Sequence, residues 1–346
     1  MDNASDAAIA VVGGGVSGTG VAATLRDTAV EVTLFERAGR VGGRTATRTR
    51  NGAVYDYGAN YVKNDDERVA DLLTSEVSEG LVDIDEPVWT FDADGEISEG
   101  RDADDAKWTF ESGIETLAGR LADRSDAAVE TGAEVVGLAR ETDEWHVATA
   151  DGREFGPFDG VVLTPPAPQT GDLLAAADWD HEQSGALVEA LRDVPYRTIW
   201  SLALSYTFDL DVPYYALVNT DGDHEIGWLS REACKPGHVP DGDLLIVQMA
   251  PDWSAERYDA DGEAVIEEAL PLVADLLDDR LADPEWADHQ RWGLALPDDG
   301  VDTDLLDAVA EDGLWFAGDW VAGEARAHAA LGTGLAAGDR IRERFE

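Results

Sequence analysis

Ala7-Ala8-Ile9-Ala10-Val11-Val12-Gly13-Gly14-Gly15-Val16-Ser17-Gly18 decides how the chain begins to fold. An apolar run enters three glycines, and the periodicity then changes. Ala22, Ala23 and Leu25 share a helical face in a stretch reaching about Arg26, and Val30, Val32 and Leu34 alternate before Glu36. The pattern predicts strand, turn, helix, strand. Gly13-x-Gly15-x-x-Gly18 has the spacing in which the first glycine makes a tight turn, the second lets backbone approach a pyrophosphate, and the third packs helix on strand. Val16 and Ser17 open the helix, whose N-terminus would face the anion. Glu36 lies 18 residues after Gly18, at the end of the second strand. A carboxylate there accepts hydrogen bonds from adenosine ribose hydroxyls and repels a 2′-phosphate. The unit predicts a dinucleotide site, against the alternative of a glycine turn of purely structural value.

Which dinucleotide is decided by Gly39-Arg40-Val41-Gly42-Gly43-Arg44-Thr45, just beyond Glu36 and Arg37. A second glycine pair ending in arginine brings another backbone close to the cofactor, and nicotinamide-only domains do not need it. Glu36 followed by Gly42-Gly43-Arg44 resembles the second glycine motif of the FAD-dependent amine oxidase superfamily. Three more segments resemble that superfamily in order. Asp56-Tyr57-Gly58-Ala59-Asn60-Tyr61 is similar to the stretch whose backbone passes the flavin ring, and Glu134-Val135-Val136 to a strand whose valine, Val135, touches adenine. Leu314-Trp315-Phe316-Ala317-Gly318-Asp319 is similar to a late strand whose aspartate holds the ribityl chain, and Ala330-Leu331-Gly332-Thr333-Gly334 opens the helix after it.

The resemblance implies an α/β protein: a Rossmann-type FAD-binding domain with a second, mostly antiparallel-sheet substrate domain. It implies non-covalent FAD held by Gly13, Gly15, Val16, Ser17, Gly18, Glu36, Arg37, Gly43, Arg44, Thr45, Gly58, Ala59, Asn60, Val135, Gly318, Asp319, Leu331, Gly332 and Thr333. The expected division gives 1–62, 107–172 and 311–346 to the FAD domain and 63–106 and 173–310 to the substrate domain.

Within the superfamily the chain is most similar to the renalase group. Asp159-Gly160-Val161-Val162-Leu163-Thr164-Pro165-Pro166-Ala167-Pro168 and His289-Gln290-Arg291-Trp292 match its segments. His328 departs from an acid common in relatives, and Cys234-Lys235-Pro236-Gly237 from a serine-rich loop. The implied reaction is hydride transfer from a dihydronicotinamide isomer to flavin, with O2 as acceptor and H2O2 as product. Trp292, Tyr61 and His328 are the candidates for the substrate face. Amine oxidases usually carry a lysine where Trp292 stands. An amine or isoprenoid substrate, a flavin protein without turnover, and a plain NAD-binding module are the competing expectations.

Composition excludes several classes. The 346 residues hold 73 acidic and 25 basic side chains, a formal net charge of −48, with 44% hydrophobic residues. That much apolar content can build a core, so this is not a disordered acidic tail. The field repels phosphates, which excludes nucleic acid and anionic membrane surfaces as partners. Only Lys63, Lys107 and Lys235 are lysines. This resembles proteins of salt-loving organisms of the haloarchaeal kind, whose molar salt screens charge beyond about 3 Å. Cys234 is alone, so no disulfide framework is expected, and the six histidines lack metal-ligand spacing. Met1 to Asp6 lack a basic leader and no apolar run spans a bilayer, so a soluble cytoplasmic protein acting on a small molecule is expected.

Overall fold

Two β-sheets of opposite character organise the chain. A computed structural model describes residues 7–100 and 106–346. The expectation of no leader at Met1 to Asp6, and residues 101–105 of the expected substrate domain, lie outside the described residues. The first sheet has five parallel strands in the order Ala128–Thr131, Val30–Glu36, Ala7–Val12, Gly160–Leu163, Leu314–Phe316. Ile9, Ala10, Val11, Val161, Val162 and Leu163 are wholly buried, because a parallel sheet is covered on both faces. The helix Val16–Thr24 packs against the C-terminal helix Ala327–Phe345. Small residues permit the approach: a Cβ at Gly334 would stand 2.2 Å from the Ser17 carbonyl oxygen, and one at Gly20 2.8 Å from Leu331.

The second sheet has seven strands, in the order Trp286–Pro297, Tyr196–Tyr206, Asp243–Met249, Ile226–Arg231, Ala216–Asn219, Val88–Phe91, Ile97–Ser98. All neighbours are antiparallel except Ala216–Asn219 with Val88–Phe91. One face buries Leu202, Leu204, Leu245 and Val247 beneath Val265, Ala269 and Val273 of helix Gly262–Leu276. The other face sets Ala203, Leu244 and Ile246 against Tyr55 and Tyr57. The fold is thus the expected α/β class, a Rossmann-type domain joined to one with a largely antiparallel sheet. Asp94-Gly95, Asp151-Gly152 and Asp221-Gly222 each turn a hairpin, with glycine φ of 77°, 84° and 80°.

The sequence pattern by itself predicts a strand over Val129 to Leu138, helices over Asp172 to Asp193 and Gly262 to Leu281 with Pro271 kinking or restarting the second, and a sheet edge at Thr164-Pro165-Pro166; the structure differs at each. Val129 to Leu138 is not one strand but two, Ala128–Thr131 in the parallel sheet and Val135–Glu141 in a separate three-stranded sheet. Gly132, at φ +68°, turns the chain between them. The helix expected over Asp172 to Asp193 is also two, Ala167–Ala175 and Ser184–Asp193, separated by Trp179, whose indole donates to Asp312. Pro271 neither ends nor restarts its helix, which runs from Gly262 to Leu276 and stops short of Leu281. The proline lies on the exposed face, as does Glu267, so the helical bond that proline removes is lost on the side open to solvent. Thr164-Pro165-Pro166 ends a strand that is interior to the sheet rather than at its edge.

Glycine crowding predicts a contrast measurable by urea unfolding. Gly334→Ala, which overpacks the helix crossing, should lower stability by about 1–3 kcal/mol. Gly119→Ala, in helix Glu115–Arg124 where a Cβ would meet nothing within 4 Å, should raise it by about 0.5–1 kcal/mol.

Candidate functional site

The two glycine turns form one structure. Gly13 has φ +104° and a Cβ there would strike Thr164 Oγ1 at 2.3 Å; a Cβ at Gly18 would lie 1.9 Å from the Gly13 carbonyl oxygen. Gly15 differs: its φ of −74° and ψ of −177° suit any residue, yet nothing lies within 4 Å of its Cβ position. No side chain caps the helix that starts there. The positive end of a helix is therefore open at the point where a diphosphate needs room. The second turn is bonded to the first, with Gly42 N–H donating to the Gly14 carbonyl at 2.8 Å and a Cβ position at Gly43 only 3.3 Å from Gly15 Cα. Thr45 Oγ1 donates to the Gly42 carbonyl at 2.6 Å.

Glu36 is buried, its carboxylate accepting from Gly14 N–H at 2.8 Å and Ala38 N–H at 2.7 Å. Each oxygen keeps another lone pair for a ligand. Ala133 N–H donates to the Glu36 carbonyl, which brings Val135 to the same end of the sheet, while Arg37 points into solvent. Val16 and Ser17 are buried at the helix start.

Arg44 and Asp319, 275 residues apart, meet in a bidentate pair with both contacts at 2.7 Å. The same guanidinium donates to the Ala295 carbonyl at 2.9 Å, on a strand of the second sheet. Gly318 N–H donates to Thr333 Oγ1 at 2.9 Å, tying the Gly-Asp turn to the C-terminal helix. Leu331 is wholly buried in the core, and a Cβ at Gly332 would lie 2.7 Å from Asp66 Oδ2.

The segment from Tyr57 to Tyr61 lies under the second sheet. Arg44 O accepts from Ala59 N–H at 2.9 Å, and the Gly58 carbonyl accepts from Gln248 Nε2 at 2.9 Å. Asn60 Oδ1 accepts from the Ser230 hydroxyl at 3.0 Å. Register places Trp228 opposite Gln248, Gln248 opposite Ser201, and Ser201 opposite Gln290, so the four share this face. The Trp228 indole N–H and the Ser201 hydroxyl have no hydrogen-bond partner among the described residues.

The three substrate-face candidates have different neighbours. Trp292 stacks on Tyr57 with centroids 5.7 Å apart and donates to the Tyr57 carbonyl at 3.1 Å. Tyr61 meets Tyr215 and Trp228 at 6.2 and 6.1 Å. His328 is buried near Asp65 and Glu324, and burial lowers its pKa from the ordinary value against the pull of those two acids. Sequence patterns missed Gln248, Ser201 and Trp228, because strand alternation does not say which sheet face meets the segment from Tyr57 to Tyr61. They also missed a buried group of Asp56, Glu232, Lys235 and His238, for which the rarity of lysine was the available signal.

A Rossmann-type sheet, a glycine–arginine turn and an antiparallel sheet over it define the class of FAD-dependent oxidoreductases. The chain belongs to the flavin containing amine oxidoreductase family, which it matches over residues 86–342, and residues 11–75 match the NAD(P)-binding Rossmann-like domain. Its cofactor is accordingly FAD. Protoporphyrinogen oxidase 2 of Arabidopsis thaliana is 43% identical over 65 residues, 19% of this chain and 13% of that protein. Flavin-containing amine oxidase B of Mus musculus is 42% identical over 73 residues, 21% of this chain and 14% of that protein. The chain thus aligns with a small part of either relative. A structure from Exiguobacterium sp. 255-15, assigned as a protoporphyrinogen oxidase, superposes with a TM-score of 0.80 at 14% identity, covering 98% of this chain and 99% of that one. At that identity the likeness is one of fold.

The open space at Gly15 predicts that Gly15→Val changes stability by less than about 1 kcal/mol, since the cost is only a poorer helix cap. It should nevertheless weaken FAD at least about tenfold, equivalent to about 1.4 kcal/mol, in a fluorescence titration.

Proposed function

We propose that the protein is a renalase-like oxidase that takes a hydride from a misreduced dihydronicotinamide isomer and passes the electron pair to O2. The products are the aromatic nicotinamide and H2O2, one proton being taken up with the hydride equivalent. FAD, when bound, supplies the hydride acceptor at N5. Residues 1–62, 107–172 and 311–346 would hold it without a covalent bond, and 63–106 and 173–310 would furnish the substrate side. Burial pushes the Cys234 thiol up to about 12, which keeps it protonated and unreactive and so supports non-covalent attachment.

The observation that carries this proposal is Trp292: tied down by Tyr57, it sets a flat apolar ring where amine oxidases usually have lysine. Such a ring can stack on a flat nicotinamide. Arg44 and Asp319 would orient the cofactor's diphosphate and ribityl portions, and the N-terminus of helix Ala327–Phe345 would favour negative charge on the pyrimidine edge of the ring. An amine substrate is the second reading, supported by the match to the mouse amine oxidase. The charge of −48 supports work in a salt-rich cytoplasm, where ions screen the self-repulsion.

Anaerobic titration of the holoprotein, purified in high salt, decides between the two. Dihydronicotinamide isomers should bleach the flavin band, and air should restore it with H2O2. Bleaching by amines but not by those isomers would overturn the proposal.

A further inference from the structure

Asp56, Glu232, Lys235 and His238 meet away from solvent, each no more than 1% exposed, where strand Ala53–Asp56 touches the loop after strand Ile226–Arg231. Asp56 receives four donors. Lys235 Nζ at 2.9 Å and Thr109 Oγ1 at 3.1 Å reach Oδ2, while Thr47 Oγ1 at 2.7 Å and Ile114 N–H at 2.9 Å reach Oδ1. Glu232 Oε1 lies 2.7 Å from the same ammonium, and Oε2 accepts from Asp56 N–H at 3.1 Å.

His238 fixes the proton inventory. Its Nε2 lies 2.9 Å from the Phe110 carbonyl, which only accepts, so Nε2 carries hydrogen. Its Nδ1 lies 2.7 Å from Glu232 Oε2, and that contact needs a second proton on one side or the other. Glu232 and His238 together are therefore neutral, and Lys235 cancels Asp56. Four buried ionisable groups sum to zero, the condition under which such a cluster survives without water. Asp56, Glu232 and His238 put ligand atoms within 4.8 Å of one another, but the ammonium already stands between the two carboxylates as the cation of the site. Burial disfavours both charged forms, yet the neighbouring charges hold Asp56 below its ordinary pKa and Lys235 above its own.

Asp56 immediately precedes the segment that carries Gly58, Ala59 and Asn60. Lys235 also lies over the Tyr215 ring at 6.0 Å, and Tyr215 in turn meets Tyr61. We propose that Lys235 is a positioning residue: with Glu232 and His238 it clamps Asp56, and so sets how the backbone from Tyr57 to Asn60 is presented to FAD. This rests on the assignment of that segment to the flavin. The clamp joins residues 179 positions apart and makes the placement of the cofactor-side loop depend on the second sheet.

Two variants of the holoprotein test it, Lys235→Met and the double variant Lys235→Met/Glu232→Gln. Lys235→Met leaves Asp56 without its cation. It should melt at least about 5 °C lower, hold FAD at least tenfold less tightly, and change the visible circular dichroism of the bound flavin. The double variant lets His238 supply the missing positive charge. It should regain most of the melting temperature, although two native groups are gone, but neither the affinity nor the dichroism. Parent-like affinity and dichroism in Lys235→Met, or their full return in the double variant, would overturn the positioning role. A parent protein that takes up no FAD would instead overturn the flavin assignment, and the melting temperatures would still decide whether the cluster must be neutral.

Discussion

One guanidinium–carboxylate pair joins what the secondary structure leaves apart. Arg44 stands after the second glycine turn, Asp319 after the last parallel strand, and the Ala295 carbonyl that Arg44 also holds belongs to the antiparallel sheet. Asp319 is nearly buried, so losing its partner would strand a charge away from water. Planar bidentate geometry explains why arginine serves here where lysine would not, since lysine offers a point charge without the fork. With that pair in place, Arg44 O is set to accept from Ala59, and the loop toward Tyr61 is drawn beneath Gln248. The geometry of the loop from Gly58 to Tyr61 thus depends on contacts between distant parts of the chain.

The acidity of the chain has a second side. A net charge of −48 is carried on the surface, while the buried acids are each met by donors or cations. Asp243 has Arg231 at 2.8 Å, and Asp56 and Glu232 share Lys235. Exposed pairs such as Arg280 with Asp278 contribute little, because water and salt screen them. Charge in this protein is therefore of two kinds: an outer field that salt moderates, and a few inner groups whose balance is local and compulsory.

What the sequence showed and what it hid divide along the same line as local and distant contacts. The tight turn at Gly13 and the close packing at Gly18 follow from spacing within a single strand–turn–helix unit, and the Asp-Gly hairpins from turn chemistry of adjacent residues. The break at Gly132 was hidden because two short strands of different sheets abut in one apolar run. Pro271 misled because the exposure of its helix face, which makes a lost backbone bond cheap, is a tertiary property. The trio Trp228, Gln248 and Ser201 is set by strand register alone. Lys235 finds Asp56 and Glu232 through folding of a loop, and only its scarcity in the composition singled it out.

The most direct measurement is a crystal structure of the protein with FAD. The diphosphate should lie over the Gly13–Gly18 turn beside Gly15, and the flavin ring along Gly58, Ala59 and Asn60 beneath Gln248. A cofactor bound elsewhere, or a protein that excludes FAD from the Gly15 opening, would contradict it.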